Sequence, residues 1–187
     1  MNADALVIAA IDALESVGAP YMVVGSISSN VYAFPRSTED ADFVVQFQSG
    51  TLARILDILG PTFRLDSQAQ FETVTATIRH IIHTPRAAFR IELFDLSSDS
   101  FDQERFSRRR RTRILGRSAF VPTAEDVVIQ KLRWSQQGRR RKDCDDATNV
   151  IASQGSSLDW PYIERWCDEH GTRKLLAEIR ASLPSFD

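Results

Sequence analysis

Apolar side chains at Leu6, Ala9, Ala10, Ala13, Leu14 and Val17 recur at helical spacing, and Gly18 and Pro20 end the run, so the pattern predicts a helix over residues 5–17. Residues 21–24 form a short unbroken apolar run between Pro20 and Gly25, the mark of a buried strand. A short helix over 26–33 follows, entered through Gly25-Ser26 and closed by Pro35. The spacing then predicts a strand over 41–47, a helix over 51–59 stopped by Gly60-Pro61, and further strands over 71–83 and 89–96. A polar, arginine-rich connection leads to a last strand over 114–121, interrupted at Gly116. From Pro122 the pattern changes to helices alone: Thr123 with Glu125-Asp126 signals a helix start, and candidates run over 124–137, 142–153, 159–169 and 171–182. Mixed strands and helices followed by helices predict an α+β fold, with an α/β core over 1–121 and a helical C-terminal part over 122–187.

Composition narrows the picture. In 187 residues, 43% are hydrophobic and 26% charged, which suits one globular unit with a real core and excludes a disordered or fibrous chain. No apolar stretch approaches the roughly 20 residues a membrane span needs, and the acidic start, with Asp4 and Asp12, does not resemble a secretory leader. These features place the chain in the cytoplasm, away from membranes. Cys144 and Cys167 belong to no CxxC pattern, so neither a zinc site nor a disulfide framework is expected. His80 and His83 lie three apart on a strand and face opposite ways, which argues against a metal pair; Trp134, Trp160 and Trp166 read as helix-packing residues. The net charge of -2 excludes a generally basic nucleic-acid binder. Six arginines nevertheless fall between Arg105 and Arg113, and Arg139, Arg140, Arg141 and Lys142 form a second cluster. Either is a solvated segment or a local track for phosphates.

Three features carry candidate chemistry. Gly25-Ser26, between a strand and a helix, lets backbone amides approach a phosphate at a helix N-terminus, although such turns are also ordinary connections. Asp40 and Asp42 sit two apart on a strand, so both carboxylates point the same way, about 6.5–7 Å apart along the backbone. They could converge on a hard cation such as Mg2+, or simply be two solvated acids at a strand end. Glu92, inside the apolar run Phe89-Arg90-Ile91-Glu92-Leu93-Phe94, is costly to bury unless paired or metal-bound. Asp95 competes for the same role from the opposite face.

Together, Gly25-Ser26, the Asp40-Ala41-Asp42-Phe43 run and Glu92 resemble the nucleotidyltransferase superfamily with the polymerase-beta-like palm. Phe34 to Asp40, Val121 to Leu132 and Lys142-Asp143-Cys144-Asp145-Asp146 look like the AbiEii/AbiGii-type nucleotidyltransferases, whose members include toxins of toxin-antitoxin and abortive-infection systems. The resemblance covers roughly residues 20–150. It implies a palm-like mixed β-sheet flanked by helices, and transfer of a nucleoside monophosphate from an NTP to an acceptor hydroxyl on RNA, such as tRNA, or on protein. It implies two Mg2+ ions, or Mn2+, held by Asp40, Asp42 and Glu92, with Glu92 helping the acceptor hydroxyl to lose its proton. Gly25, Ser26, Arg36, Thr38, Lys131, Asp143 and Asp146 are the implied nucleotide-binding residues, Lys131 facing the triphosphate. Asp143 and Asp146 share a helix face and either orient Lys131 or Arg36 or are surface acids. A cognate antitoxin is the implied partner.

Two positions depart from the family pattern: Ala41 is small where a larger apolar residue is common, and the third acid is Glu92 where aspartate is commoner. Two other readings compete: a non-catalytic binding module on the same fold, and an antibiotic-type enzyme whose acceptor is a small molecule. Catalysis is favoured if Glu92 points into the cleft of Asp40 and Asp42. A cationic small acceptor such as an aminoglycoside would want an acidic cleft rim, whereas the arginine clusters suggest an anionic one.

Overall fold

A computed structural model of the chain describes residues 2–85, 87–138 and 140–184. Helix α1 (Ala3–Ser16), capped by the Asn2 side chain accepting from the Ala5 amide, leads into strand β1 (Tyr21–Val23) and helix α2 (Gly25–Tyr32). Strand β2 (Asp40–Val45), helix α3 (Thr51–Leu59) and strands β3 (Arg64–Leu65), β4 (Gln70–Glu72), β5 (Thr77–Thr84) and β6 (Ala87–Asp95) complete the main sheet. Its order is β1-β2-β6-β5-β3, with β4 also paired to β5; β2 and β6 run parallel and the remaining pairs antiparallel. After it come helix α4 (Ser100–Ser107), the hairpin of β7 (Arg110–Ile114) and β8 (Arg117–Val121), and helices α5 (Ala124–Gly138), α6 (Arg141–Gln154), α7 (Trp160–Glu169) and α8 (Arg173–Ser182). A mixed sheet flanked by helices, with helices alone at the C-terminal end, is the α+β arrangement the sequence pattern predicts.

Three expectations are corrected. The strand expected over 71–83 is two strands, β4 and β5, because the chain reverses over residues 73–76 with Ala76 at a positive φ of 52°. The arginine-rich connection is not a loop. Asp99 accepts hydrogen bonds from the Phe101 and Asp102 amides and starts α4, which Phe101 and Phe106 anchor, and the remaining arginines lie on β7. The last strand is a hairpin whose two-residue turn, Leu115-Gly116, has φ of 49° and 83°, the positive pair that matches the twist of the flanking strands.

Alternation divides the sheet into two faces. Tyr21, Val23, Ala41, Phe43, Val45, Ile82, Ile91 and Leu93 pack one face against α1 and Ile55 of α3. Each large side chain buried there contributes about 1.5–3 kcal/mol. Met22, Val24, Val44 and Phe94 belong to the other face and form a small cluster with Phe106. A third core joins α5 to α8, with Val128, Ile129, Leu132, Val150, Ile151 and Ile163 at its centre and Phe101 reaching in from α4. Thr123 and Asp126 cap α5 reciprocally: the Asp126 amide donates to Thr123 Oγ1 (3.3 Å), and that hydroxyl donates to Asp126 Oδ2 (2.8 Å). The Tyr32 hydroxyl donates to the Pro122 carbonyl at 2.7 Å, and Gln154 Nε2 donates to the Tyr32 carbonyl at 2.8 Å, so α2 is tied to both ends of the α5–α6 unit. Both cysteines are free thiols, and burial pushes that of Cys167 up. Among the described residues no helix is long and apolar enough to cross a membrane.

Candidate active site

The second face of the sheet is the floor of a cleft of about 450 Å³ whose opposite wall is α5 with the start of α6. Strand register decides what stands on that floor. Asp42 pairs directly with Glu92 across the parallel β2–β6 ladder, and Asp40 pairs with Arg90. Ile81 of β5 pairs with Glu92 on the other side, so Arg79, two residues earlier, shares the same face. Gly25, Ser26, Asp40, Asp42, Glu92, Lys131 and Asp143 line the cleft. Glu92 therefore points into the cleft of Asp40 and Asp42.

The turn into α2 lies against these acids. Gly25 adopts φ +62°, and a Cβ built on it would meet Asp42 Oδ2 at 1.9 Å, so only glycine admits this approach. The Val24 amide donates to the Asp42 carbonyl (2.8 Å), which fixes the turn to β2. Helix α2 has no side-chain cap, and its first two residues, Gly25 and Ser26, line the cleft.

Arg36, Thr38 and Asp146 stand behind the cleft lining. The Arg36 guanidinium donates from Nε and Nη2 to the two oxygens of Asp146 (2.6 and 2.8 Å), and Nη2 also reaches Ser26 Oγ at 2.8 Å. Asn30 clamps the Arg36 backbone from both sides, at 2.8 and 3.1 Å. Lys131 Nζ lies 2.8 Å from Asp143 Oδ1 and 2.7 Å from Asp146 Oδ2. Asp143 and Asp146 thus orient both cations, one of the two sequence alternatives. Burial by itself would raise the Asp146 carboxyl, but Arg36 and Lys131 outweigh it and hold it below the usual carboxylate range. Thr38 donates to Asp40 Oδ1 (2.9 Å) and so aims an acid instead of lining the cleft.

Asp42 is pushed up to about 7, first by burial, then by the charges of Asp40 and Glu92, against the opposing pull of Lys131 and Arg140. The group lies deep in the protein, although Asp42 as a residue is only half-buried where it lines the cleft. Among the described residues, no three His, Cys, Asp or Glu side chains converge closely enough to hold a metal ion. Asp40 and Asp42 do supply two hard oxygen donors on one strand face, and the crowding that raises Asp42 is the negative charge a divalent cation neutralises. One oxygen of Glu92 is already engaged: Oε2 accepts from Arg79 Nη1 at 2.9 Å.

Sequence reasoning missed Arg79 and Arg90, both on the cleft floor. Their period-two spacing with Ile81 and Glu92 was the available signal. The arginine run is largely occupied within the molecule. Arg105 pairs with Asp102 (2.8 Å), and Arg108 stacks 3.9 Å from the Tyr162 ring and lies 3.4 Å from Asp126. Arg109 covers Phe106 and Phe120, while Arg111 covers Phe120 and reaches Glu15 at 3.2 Å. Arg110 and Arg113 are exposed. Of the second cluster, Arg139 lies outside the described residues, Arg141 is exposed, and Arg140 and Lys142 line the cleft. His80 pairs with Asp95 (3.3 Å) and His83 with Asp66 (2.9 Å), on opposite faces.

No family model matches the sequence, and no curated protein matches it. Solved structures do. The antibiotic-resistance factor ANT(2'')-Ia is similar with a TM-score of 0.62 at 12% identity, over 96% of this chain and 96% of that one. That protein is also known in complex with adenylyl-2''-tobramycin. JHP933 from Helicobacter pylori gives 0.57 at 16% identity, over 96% of this chain and 78% of that one. An antigenic nucleotidyltransferase-like protein from Paracoccidioides brasiliensis gives 0.52 at 16%, over 96% and 93%. At such identities the likeness is one of fold, and the chain has the fold of nucleotidyltransferases and nucleotidyltransferase-like proteins.

Proposed function

We propose that this chain is a metal-dependent nucleotidyltransferase that moves a nucleoside monophosphate from an NTP to an acceptor hydroxyl, with pyrophosphate leaving. The observation that carries this reading is the side-by-side placement of Asp42 and Glu92, with Asp40 on the same face, beneath the uncapped start of α2. Asp40 and Asp42 hold a divalent ion, Mg2+ or Mn2+, which when bound neutralises triphosphate charge and helps align the transferred phosphorus. The α2 amides at Gly25 and Ser26 receive the phosphates, with the helix dipole favouring negative charge there. Lys131, fixed by Asp143 and Asp146, presents positive charge from the opposite wall. Thr38 and Arg36 act one layer back, aiming Asp40 and steadying Ser26. Glu92 faces the acceptor hydroxyl and helps it lose its proton. Residues 1–121 form the catalytic core and 122–187 the wall that closes the cleft.

The AbiEii/AbiGii-type assignment, with a toxin role and a cognate antitoxin, rests on the stretches at 34–40, 121–132 and 142–146 and is part of this proposal. For the acceptor, two readings stand. RNA or protein follows from that assignment. A small molecule is favoured by the occupied arginines, since a run spent on aromatic rings and internal carboxylates offers little continuous track for a phosphate backbone. Incubation with each labelled NTP, Mg2+ and either total RNA, total protein or a panel of polyhydroxylated amines tests both. Label on one acceptor class identifies it, and no transfer with any NTP, together with no NTP binding, refutes the enzyme reading.

A further inference from the structure

This inference rests on the metal-dependent reading above. We propose that Arg79 holds the place of a second cation beside Glu92, so that the site works with one divalent ion on Asp40 and Asp42 and a fixed guanidinium on the third acid.

Glu92 is only 6% exposed, and a carboxylate so placed needs a positive partner. That partner is built into the sheet. Arg79 reaches diagonally across the β5–β6 ladder from the position opposite Phe94 and donates from Nη1 to Glu92 Oε2 at 2.9 Å. Its other terminal nitrogen donates to Gln70 Oε1 of the neighbouring strand β4, and the guanidinium carbon lies 5.8 Å from the Phe94 ring centroid. Carboxylate, amide and ring therefore hold one guanidinium on three sides, a fixed placement more than a flexible surface pair. A divalent ion shared between Asp42 and Glu92 would have to sit within a few ångströms of this charge. The repulsion between a single and a double positive charge at that distance, even at the dielectric constant of water, lowers affinity by about 10-fold or more. Two ions on three acids, as the family resemblance implies, would need Arg79 to leave. With the guanidinium in place the positive charge at Glu92 is permanent and independent of metal supply. Arg79 is a positioning residue, acting through Glu92.

Counting Mn2+ by the free-ion electron paramagnetic resonance signal tests this without reference to activity. The full chain is titrated with Mn2+ in the presence of a non-hydrolysable NTP analogue, as wild type, Arg79→Lys, Arg79→Gln and Arg79→Gln/Glu92→Gln. We expect wild type and Arg79→Lys to bind one Mn2+ well and a second weakly. Arg79→Gln should bind the second about 10-fold or more tightly than wild type, and the double variant should lose that gain. Two Mn2+ of equal affinity in wild type overturn the inference, whether or not the variants fold. So does an Arg79→Gln that melts cooperatively and shows no gain, or an Arg79→Lys that behaves like Arg79→Gln. The parent reading fails separately, and this one with it, if no protein binds any Mn2+ above the analogue alone.

Discussion

Replacing Asp42 by Asn should make the protein more stable at alkaline pH while removing the proposed metal site. The Asp42 carboxyl is raised from 3.8 to about 7, so between those values the folded state holds a proton that the unfolded state has released. The sign follows: a raised acid destabilises the fold progressively as pH climbs from about 4 to about 7, and the full effect persists above. A shift of this size corresponds to roughly 4 kcal/mol if wholly expressed. The partial exposure of Asp42 at the cleft, and the cations Lys131 and Arg140 that an asparagine would leave less compensated, reduce the expectation to about 2 kcal/mol. Asn keeps the volume and cannot ionise. Thermal melts of both proteins from pH 4 to 8.5 should therefore show nearly equal Tm at the acid end and an Asp42→Asn advantage of roughly 4–8 °C at pH 8. Mg2+ added at pH 8 should raise the wild-type Tm and leave the variant unmoved. An Asp42→Asn protein no more stable than wild type at pH 8, or a gap that does not change with pH, would refute the reasoning.

Gly25→Ala should lose nucleotide binding and about 2 kcal/mol or more of stability, because its Cβ has to displace the Asp42 carboxylate and accept φ +62°; equal melting and binding would show the approach to be dispensable. Asp146→Asn leaves Lys131 and Arg36 short of a carboxylate and should cost about 3–5 kcal/mol by urea unfolding at neutral pH. Because that carboxyl is lowered, its contribution is complete above the ordinary aspartate value of about 4 and fades as pH falls through and below it, so the two proteins should converge in acid. Replacing Arg108, Arg109 and Arg110 by Gln should lower stability by roughly 1–3 kcal/mol through lost ring stacking, and leave NTP binding and its salt dependence unchanged. A reduced salt slope for RNA binding in that variant would restore the phosphate track.

What the sequence disclosed follows from how local each signal is. Helices α5, α6, α7 and α8 were legible to within about two residues, because each carries its own apolar residues at helical spacing and α5 and α7 add start signals at Thr123 and Asp159. The face shared by Asp40, Asp42 and Glu92 was accessible from period-two alternation plus the resemblance. Helix α4 was hidden, since its residues are mostly polar and its two anchors, Phe101 and Phe106, are five apart and do not make a stripe. The partner of Arg79 could not be read from spacing, and for Lys131 and Arg36 the spacing left Asp143 and Asp146 as partners or as surface acids. These pairings depend on strand register and on helix docking, which bring Arg79 to Glu92 and Asp146 to Arg36. Nor could the fate of the arginine run, whose guanidiniums are occupied by rings and acids brought in from other elements.

The bridge from Arg36 to Asp146 spans 110 residues of chain. Its consequence is temporal. A ribosome adding about 5–20 residues per second needs roughly 5–20 s to get from one partner to the other. Late in that interval the sheet strands and the Gly25 turn exist as polymer, but Ser26 lacks the guanidinium–carboxylate brace that steadies it, and Lys131, once made, still waits for both of its acids. The nascent N-terminal part therefore carries the acid pair without a braced Gly25 turn, and the proposed site is complete only when α6 has been made and has docked.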